Sequence, residues 1–218
     1  MTRIVVTGFE PWQHGAENST LAILDGLEQS NALPGELTTL RLPVDTHRIA
    51  DMVAETLDRV RPDLWISLGL APGSSVMAIE RIAANVRDFS SPDNEGNQPI
   101  DQPVYPGGPA GRLSTLPIKA IARAMRDSGI PAKISNSPAT YLCNQMMYTV
   151  LHLIEARSMP TRAGFIHVPA SPAHVARQVY PFVEMPSMSV DLMTRAVECA
   201  VRASVSNERD EVLATFND

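Results

Sequence analysis

The feature that most constrains the fold is an alternation of short apolar runs with segments whose apolar residues recur every three or four positions. Residues 3 to 7, 64 to 68 and 163 to 168 have the length and β-branched or apolar composition of buried strands. Between them, as at residues 49 to 60, the spacing is helical. The alternation predicts one α/β domain over residues 1–218: a three-layer α/β/α sandwich around a mixed, mostly parallel, twisted sheet. In such folds the ligand site lies beyond the carboxyl ends of strands.

Weaker patterns place the remaining elements. We expect further strands at residues 37–42, 76–84 and 130–134. Helices are expected to begin after Asn18 or Ser19, after Asp45, at Thr115 to Pro117, around Cys143 and at Ser189.

Residues 88–113 interrupt this alternation. They contain five prolines and four glycines, which makes regular structure unlikely to form there by local preference. An excursion of this length is either a functional lid or interface element or a solvated insertion, and the sequence favours neither reading.

Charge and composition exclude several classes of partner. The net charge of −6, without any cluster of Lys and Arg, argues against nucleic acid and anionic membranes. No apolar run approaches the ~18 residues of a membrane span, and the first residues lack a signal-peptide core. Two cysteines, Cys143 and Cys199, form neither a disulfide framework nor a metal-ligand pattern, which favours a reducing cytoplasm and no metal.

The segment from Ser135 to Asn144 brings a cysteine to the start of a helical pattern. It is small, polar and turn-prone, and apolar residues recur at helical spacing after it. Cys143 therefore falls near a helix N-terminus, where free N–H groups and the helix dipole favour a thiolate and can hold an oxyanion. The simpler alternative is that a lone cysteine acts as a small buried hydrophobe.

Two other residues have the chemistry that a cysteine nucleophile requires. Glu80 stands among isoleucines, where a carboxylate needs a partner, and His167 lies at the end of an apolar strand pattern. A thiolate needs an imidazole beside it, and the imidazole needs a third group to fix its tautomer. A satisfied core histidine is the commoner reading of His167, and spacing alone brings none of these side chains together.

Seven motifs in a fixed order resemble those of one family, the pyroglutamyl peptidase I or pyrrolidone-carboxylate peptidase family. Together they are more specific than any one of them, and they cover the chain from about residue 3 to residue 170. The motifs are VTGFEP at 6–11, ERIAAN at 80–85, PDNEGNQP at 92–99, GGPA at 107–110, LPIK at 116–119, SNSPATYLCN at 135–144 and GFIHVP at 164–169.

The resemblance implies a cytosolic cysteine peptidase, commonly a homotetramer, that removes an N-terminal 5-oxoproline (pyroglutamyl) residue from peptides without a cofactor. By resemblance, Cys143 matches the nucleophile, His167 the base and Glu80 the acidic third member. The implied reaction is acyl transfer through a thioester acyl-enzyme.

The resemblance also points to a substrate pocket. Phe9 and Trp12 resemble the aromatic walls of the family, although the second is usually Phe, and Asn18 matches a polar binding position. Leu70 occupies a substrate-binding position that is commonly Gln. Loop packing for the two aromatics and helix capping for Asn18 are the alternative readings.

Other departures from the family pattern bear on substrate preference more than on the triad. Gln13 and His14 stand where Gly-Gly is frequent, and Ala170 replaces a frequent Tyr. Ser90 occupies the position of an Arg that is commonly assigned to the active site, although Arg87 is close by in the sequence.

Three functions follow as hypotheses. The first is a pyroglutamyl-peptide hydrolase. The second keeps the cysteine chemistry but acts on another small lactam or acyl amide, a reading motivated by Leu70 and Ser90. The third is a binding protein that retains the fold without turnover, in which Cys143 would react slowly with alkylating reagents.

Overall fold

The computed structural model of this chain describes residues 1–12, 17–177, 184–207 and 210. In chain order the elements within these ranges are β1 (Arg3–Phe9), α1 (Ser19–Glu28), β2 (Glu36–Leu42), α2 (Ile49–Val60), β3 (Leu64–Leu70), β4 (Met77–Glu80), β5 (Ile82–Ala84), β6 (Gly111–Leu113), α3 (Ile118–Asp127), β7 (Ala132–Ser135), α4 (Leu142–Ala156), β8 (Arg162–Val168), α5 (Pro172–Arg177) and α6 (Val190–Ser206).

Six of the strands form one mixed sheet in the order β2-β1-β3-β8-β4-β7. The first four strands in this order are parallel to one another. β4 runs antiparallel to β8 and parallel to β7, so the last two strands point the opposite way. The mixed, mostly parallel sheet predicted from the alternating pattern is confirmed.

Helices cover both faces of the sheet and bury its side chains. One core joins the sheet to α1, α3 and α6, and it includes Ile23, Leu24, Ile121, Met125, Met193 and Val197. The other core joins the opposite face to α2 and α4, and it includes Val53, Leu57, Trp65, Met146, Met147 and Phe165. Because the strands are apolar on both faces, each needs a helical layer on each side, which gives the predicted three-layer sandwich.

The prediction of one strand over residues 76–84 was wrong. β4 ends at Glu80 and β5 begins at Ile82, and the two belong to different sheets because β5 pairs with β6 instead. The backbone of Arg81 makes the change: its N–H donates to Ser135 O (2.8 Å), and its carbonyl accepts from Ser114 N (2.8 Å). β6 also lies inside the 88–113 excursion, where no regular structure was predicted.

Other boundaries differ by a few residues. α2 begins at Ile49 rather than just after Asp45, because the Asp45 carboxylate accepts from His47 N (2.9 Å) and forms a turn ahead of the helix. The short helix α5 was not predicted. Asn18 and Ser189 cap α1 and α6 as expected.

In the described ranges no helix is both long enough and apolar enough to cross a membrane.

Candidate active site

Cys143 is the second residue of α4, as its sequence context predicts. Tyr141 precedes the helix in an extended conformation and makes no side-chain capping bond, so its side chain does not occupy the N–H groups of the first turn. The neighbouring Asn144 fixes this end of the helix: its amide accepts from Ala84 N (2.8 Å) and donates to Val86 O (2.8 Å). The thiol is therefore presented from a helix terminus that is anchored to β5.

His167 and Glu80 meet across the β8–β4 pair. His167 Nδ1 lies 2.8 Å from Glu80 Oε1, and the carboxylate side chain is only 2 % exposed. The register places Ala78 opposite His167, so Glu80, two residues further along β4, projects from the same face. This contact depends on β4 running antiparallel to β8.

The Cys143 sulfur completes the group. It lies over the backbone of Gly69, which pairs with His167 in the sheet, and it is close enough to the His167 imidazole to raise the pKa of that ring. A Cβ placed on Gly69 would come within 2.8 Å of Cys143 Sγ and 2.7 Å of Phe165 Cζ. Gly69 thus leaves the space that the thiol occupies. The sequence pattern predicted Gly69 only as the end of a strand. Its lack of a side chain is the one sequence feature that could have indicated a close approach by another group.

The electrostatics of the group favour a charged imidazole. Burial lowers the pKa of His167, but the adjacent Cys143 sulfur, by its charge and its hydrogen bond, and the Glu80 carboxylate raise it, with a net increase to about 10. An imidazolium in contact with a cysteine sulfur is the arrangement that holds a nucleophilic thiolate in cysteine hydrolases.

These residues face a cavity of about 830 Å³. Its end on the β1 and β3 side includes the apolar residues Phe9 and Leu70. The lining also contains Val44, Tyr141, the partly exposed Trp12 and the carboxylates Glu10 and Glu17. Glu80, Cys143 and His167 line its middle. The predicted nucleophile, base, acid and pocket residues therefore all border one space.

Part of the 88–113 segment supports the aromatic side chains that line this cavity, and Ser90 itself lines it. The carbonyl of Pro92 accepts hydrogen bonds from Trp12 Nε1 (3.2 Å) and Tyr141 Oη (3.1 Å). Phe89 is fully buried, and its ring lies 4.3 Å from that of Tyr141. Burial, and to a smaller extent Asp93, raises the pKa of Tyr141 to about 12, so this phenol remains a hydrogen-bond donor at neutral pH.

Asn18 borders the cavity and also caps a helix. Its Oδ1 accepts from Thr20 N (3.0 Å), and its Nδ2 donates to Glu10 O (3.3 Å). The alternative reading of this residue as a helix cap is thus correct for its local structure, and its role toward a ligand stays a prediction.

The departures from the family pattern have distinct positions. Ser90 lines the cavity. Arg87 does not take the place of the missing arginine, since its guanidinium lies 3.4 Å from both Thr46 Oγ1 and Gln102 Oε1, outside the lining. Ala170 is buried. Gln13 and His14 lie outside the described residues.

Sequence reasoning missed several residues that shape the site, namely Gly69, Asn144, Tyr141 and Lys133. Among the described residues, no group of three or more His, Cys, Asp or Glu side chains is arranged to hold a metal ion.

Comparisons with known proteins agree with this geometry. The family model described as pyroglutamyl peptidase matches residues 2–207. The pyrrolidone-carboxylate peptidase of Thermococcus litoralis is 37% identical over 216 residues, covering 97% of this chain and 98% of that protein. The Pyrococcus furiosus protein of the same name is 39% identical over 206 residues, covering 93% and 98%.

Solved structures give the same result. The pyrrolidone carboxyl peptidase from Thermococcus litoralis superposes with a TM-score of 0.90 at 36% identity, covering 99% of this chain and all of that one. Pyroglutamyl peptidase I of Bacillus amyloliquefaciens superposes with a TM-score of 0.90 at 29% identity, covering 97% and 100%. A family model that spans nearly the whole chain, and relatives that match from end to end, place this protein in the pyroglutamyl peptidase family.

Proposed function

We propose that this protein is a cysteine peptidase that removes the N-terminal pyroglutamyl residue from peptides. The observation that carries the proposal is that Cys143, His167 and Glu80 lie next to one another in the lining of one cavity. Membership of the pyroglutamyl peptidase family supplies the reaction class.

In the first half of the reaction, the Cys143 thiolate attacks the pyroglutamyl carbonyl carbon and forms a C–S bond. The carbonyl oxygen becomes an oxyanion, which N–H groups in the first turn of α4 are placed to stabilise. His167 then donates its proton to the peptide nitrogen, the C–N bond breaks, and the shortened peptide leaves.

In the second half, water attacks the thioester. The neutral His167 accepts a proton from that water, the C–S bond breaks, and pyroglutamate is released. The thiolate and the imidazolium are thereby restored.

Glu80 acts as a positioning residue for the imidazole. Because its carboxylate occupies Nδ1, it leaves Nε2 for the sulfur and the leaving nitrogen. Its buried charge also favours the imidazolium form, which protonates the leaving group.

The cavity suits a neutral lactam. A pyroglutamyl residue has no α-ammonium group, so its ring fits the apolar end formed by Phe9, Trp12 and Leu70, while Asn18 offers an amide at the same end.

The test uses a fluorogenic pyroglutamyl amide under reducing conditions. We expect turnover by the wild-type protein and a loss of about four orders of magnitude in Cys143→Ala, whereas Cys199→Ala is the matched control and keeps its activity. Absence of turnover, or turnover that survives Cys143→Ala, would reject the proposal.

A second candidate function, hydrolysis of another small lactam or acyl amide, is favoured by Leu70 and Ser90, which both line the cavity. A panel of pyroglutamyl, six-membered lactam and N-acetyl amides separates the two. If the pyroglutamyl amide is not the best substrate by kcat/KM, the second candidate replaces the first.

A homotetramer and a cytoplasmic location belong to the same proposal, since both rest on the resemblance to the family. Light scattering should give about four chain masses, and a mass of one chain would contradict the tetramer.

A further inference from the structure

One row of residues crosses the sheet beneath the cavity. Gly69 pairs with His167, His167 with Ala78, and Ala78 with Lys133. Residues that pair on neighbouring strands project from the same face of a sheet. The row therefore runs from the Cys143 sulfur over Gly69, past the imidazole, to Lys133 on the edge strand β7.

Lys133 is the one residue of the row with a long, flexible cationic side chain. It is exposed, and it is the only Lys or Arg among the described residues that line the cavity. Within the described part of the chain its ammonium makes no hydrogen bond and no ion pair. Its neighbour Ile134 packs against the core on the α1, α3 and α6 side of the sheet. Because side chains alternate along β7, Lys133 points to the other face of the sheet, where the cavity lies.

The reaction sets the direction in which a substrate lies along this row. The lactam ring takes the apolar end near Phe9 and Leu70, and the leaving nitrogen must reach His167 to be protonated. The leaving peptide then continues past His167, over the small side chain of Ala78. Lys133 is the next residue, two strand spacings or about 10 Å from His167 between Cα atoms, and its flexible four-carbon stem can reach back toward the space above Ala78.

We propose that Lys133 selects pyroglutamyl peptides that carry an acidic side chain directly after the pyroglutamyl residue. This inference rests on the proposed function and adds a specificity residue on the leaving-group side of the cavity. Because the ammonium is exposed, the expected preference is modest, about two- to fivefold in kcat/KM, and it weakens as salt screens the charge.

The experiment compares two amidated peptides, pyroglutamyl-Glu-Ala-amide and pyroglutamyl-Gln-Ala-amide, at low and at high salt. Amidation removes the terminal carboxylate, so the ratio of the two kcat/KM values reports the side chain alone. We expect a ratio of about two to five for the wild type, near one for Lys133→Ala, and below one for Lys133→Glu. The matched control is Lys119→Ala, which removes the other lysine of the chain, located on α3 away from the cavity, and keeps the wild-type ratio.

A wild-type ratio of one or less, or a ratio that Lys133→Ala leaves unchanged, would overturn the inference. A fluorogenic pyroglutamyl amide without an acidic group keeps this result separate from the proposed function. If the wild type hydrolyses that amide but shows no preference for the Glu peptide, only the inference about Lys133 is rejected. If the wild type hydrolyses neither the amide nor the peptides, the proposed function is rejected, and the inference that rests on it is rejected too.

Discussion

The two cysteines occupy helices on opposite faces of the sheet, and their surroundings differ in two respects that matter for reactivity: a neighbouring imidazole and a helix N-terminus. Cys143 is half-buried at the start of α4, adjacent to an imidazole and open to a cavity of about 830 Å³. Cys199 lies in the middle of α6 and is 8% exposed. Its sulfur is 3.6 Å from Ser128 Oγ and 3.8 Å from Arg202 Nη2.

This comparison shows which part of the environment makes a cysteine a nucleophile. A cation lies close to each sulfur, but the described residues that line the cavity beside Cys199 include no histidine that could accept and return a proton. Cys199 also lacks the helix-terminal N–H groups that an oxyanion needs. A smaller cavity of about 350 Å³ borders Cys199 between α3 and α6, so access to a cavity is not the distinguishing feature.

The largest expected effect comes from removing the imidazole. His167→Gln should lower turnover by about four orders of magnitude, because the thiolate loses its partner and the leaving amine its acid. In the wild type, alkylation by iodoacetamide at neutral pH should be about a hundredfold faster at Cys143 than at Cys199. Peptide mapping by mass spectrometry should show this ratio collapse in His167→Gln. Equal alkylation rates in the wild type would contradict the comparison.

The next largest effect comes from filling the space above Gly69. Gly69→Ala should lower turnover by about a hundredfold, because the new methyl group displaces the sulfur by a large fraction of an ångström from the imidazole. The matched control is Gly26→Ala on α1, where a Cβ would meet the Thr194 side chain at 2.8 Å, far from the cavity. Thermal unfolding checks that both variants are folded. If both keep wild-type kcat, the placement of the sulfur over Gly69 is wrong.

A smaller effect is expected from Glu80→Gln, which keeps the size of the side chain and removes its charge. Turnover should fall by roughly ten- to a hundredfold, with kcat affected more than KM. The glutamine still holds the imidazole in place, but without the carboxylate charge the imidazolium form is less favoured. The pKa of His167, measured by NMR titration, should fall below its wild-type value. The alkylation rate of Cys199, which lies on the other face of the sheet, is the internal reference and should be the same in the variant and the wild type. An unaltered His167 pKa would exclude Glu80 as its partner.

The smallest effect is on stability. The pKa of His167 is raised from 6.5 to about 10 in the folded protein, so the charged imidazole stabilises the fold fully below about pH 6.5, and this contribution is lost as the pH rises through 10. Between pH 8 and 10 the free energy of unfolding should fall by roughly 2 kcal/mol more in the wild type than in His167→Gln. Urea unfolding at several pH values measures this difference. Parallel pH profiles for the two proteins would refute it.

The local features of this fold were predictable because they depend on local periodicity. The apolar runs of β1, β3 and β8 and the spacing in α4 and α6 require only the preferences of neighbouring residues. The site residues Glu80, Cys143 and His167 could be named from motifs. Sequence patterns could not show that residues 76–84 are divided into two strands. That division depends on which strand each half pairs with.

By itself, the sequence determined the layers of the fold, the family resemblance and the chemical types at the site. Only the tertiary structure decided that β4 lies antiparallel beside β8, that the sulfur rests over Gly69, and that Lys133 shares a row with the imidazole. The physical reason is that side-chain periodicity specifies which face of a strand is buried, whereas strand order and direction come from contacts between residues far apart in the chain.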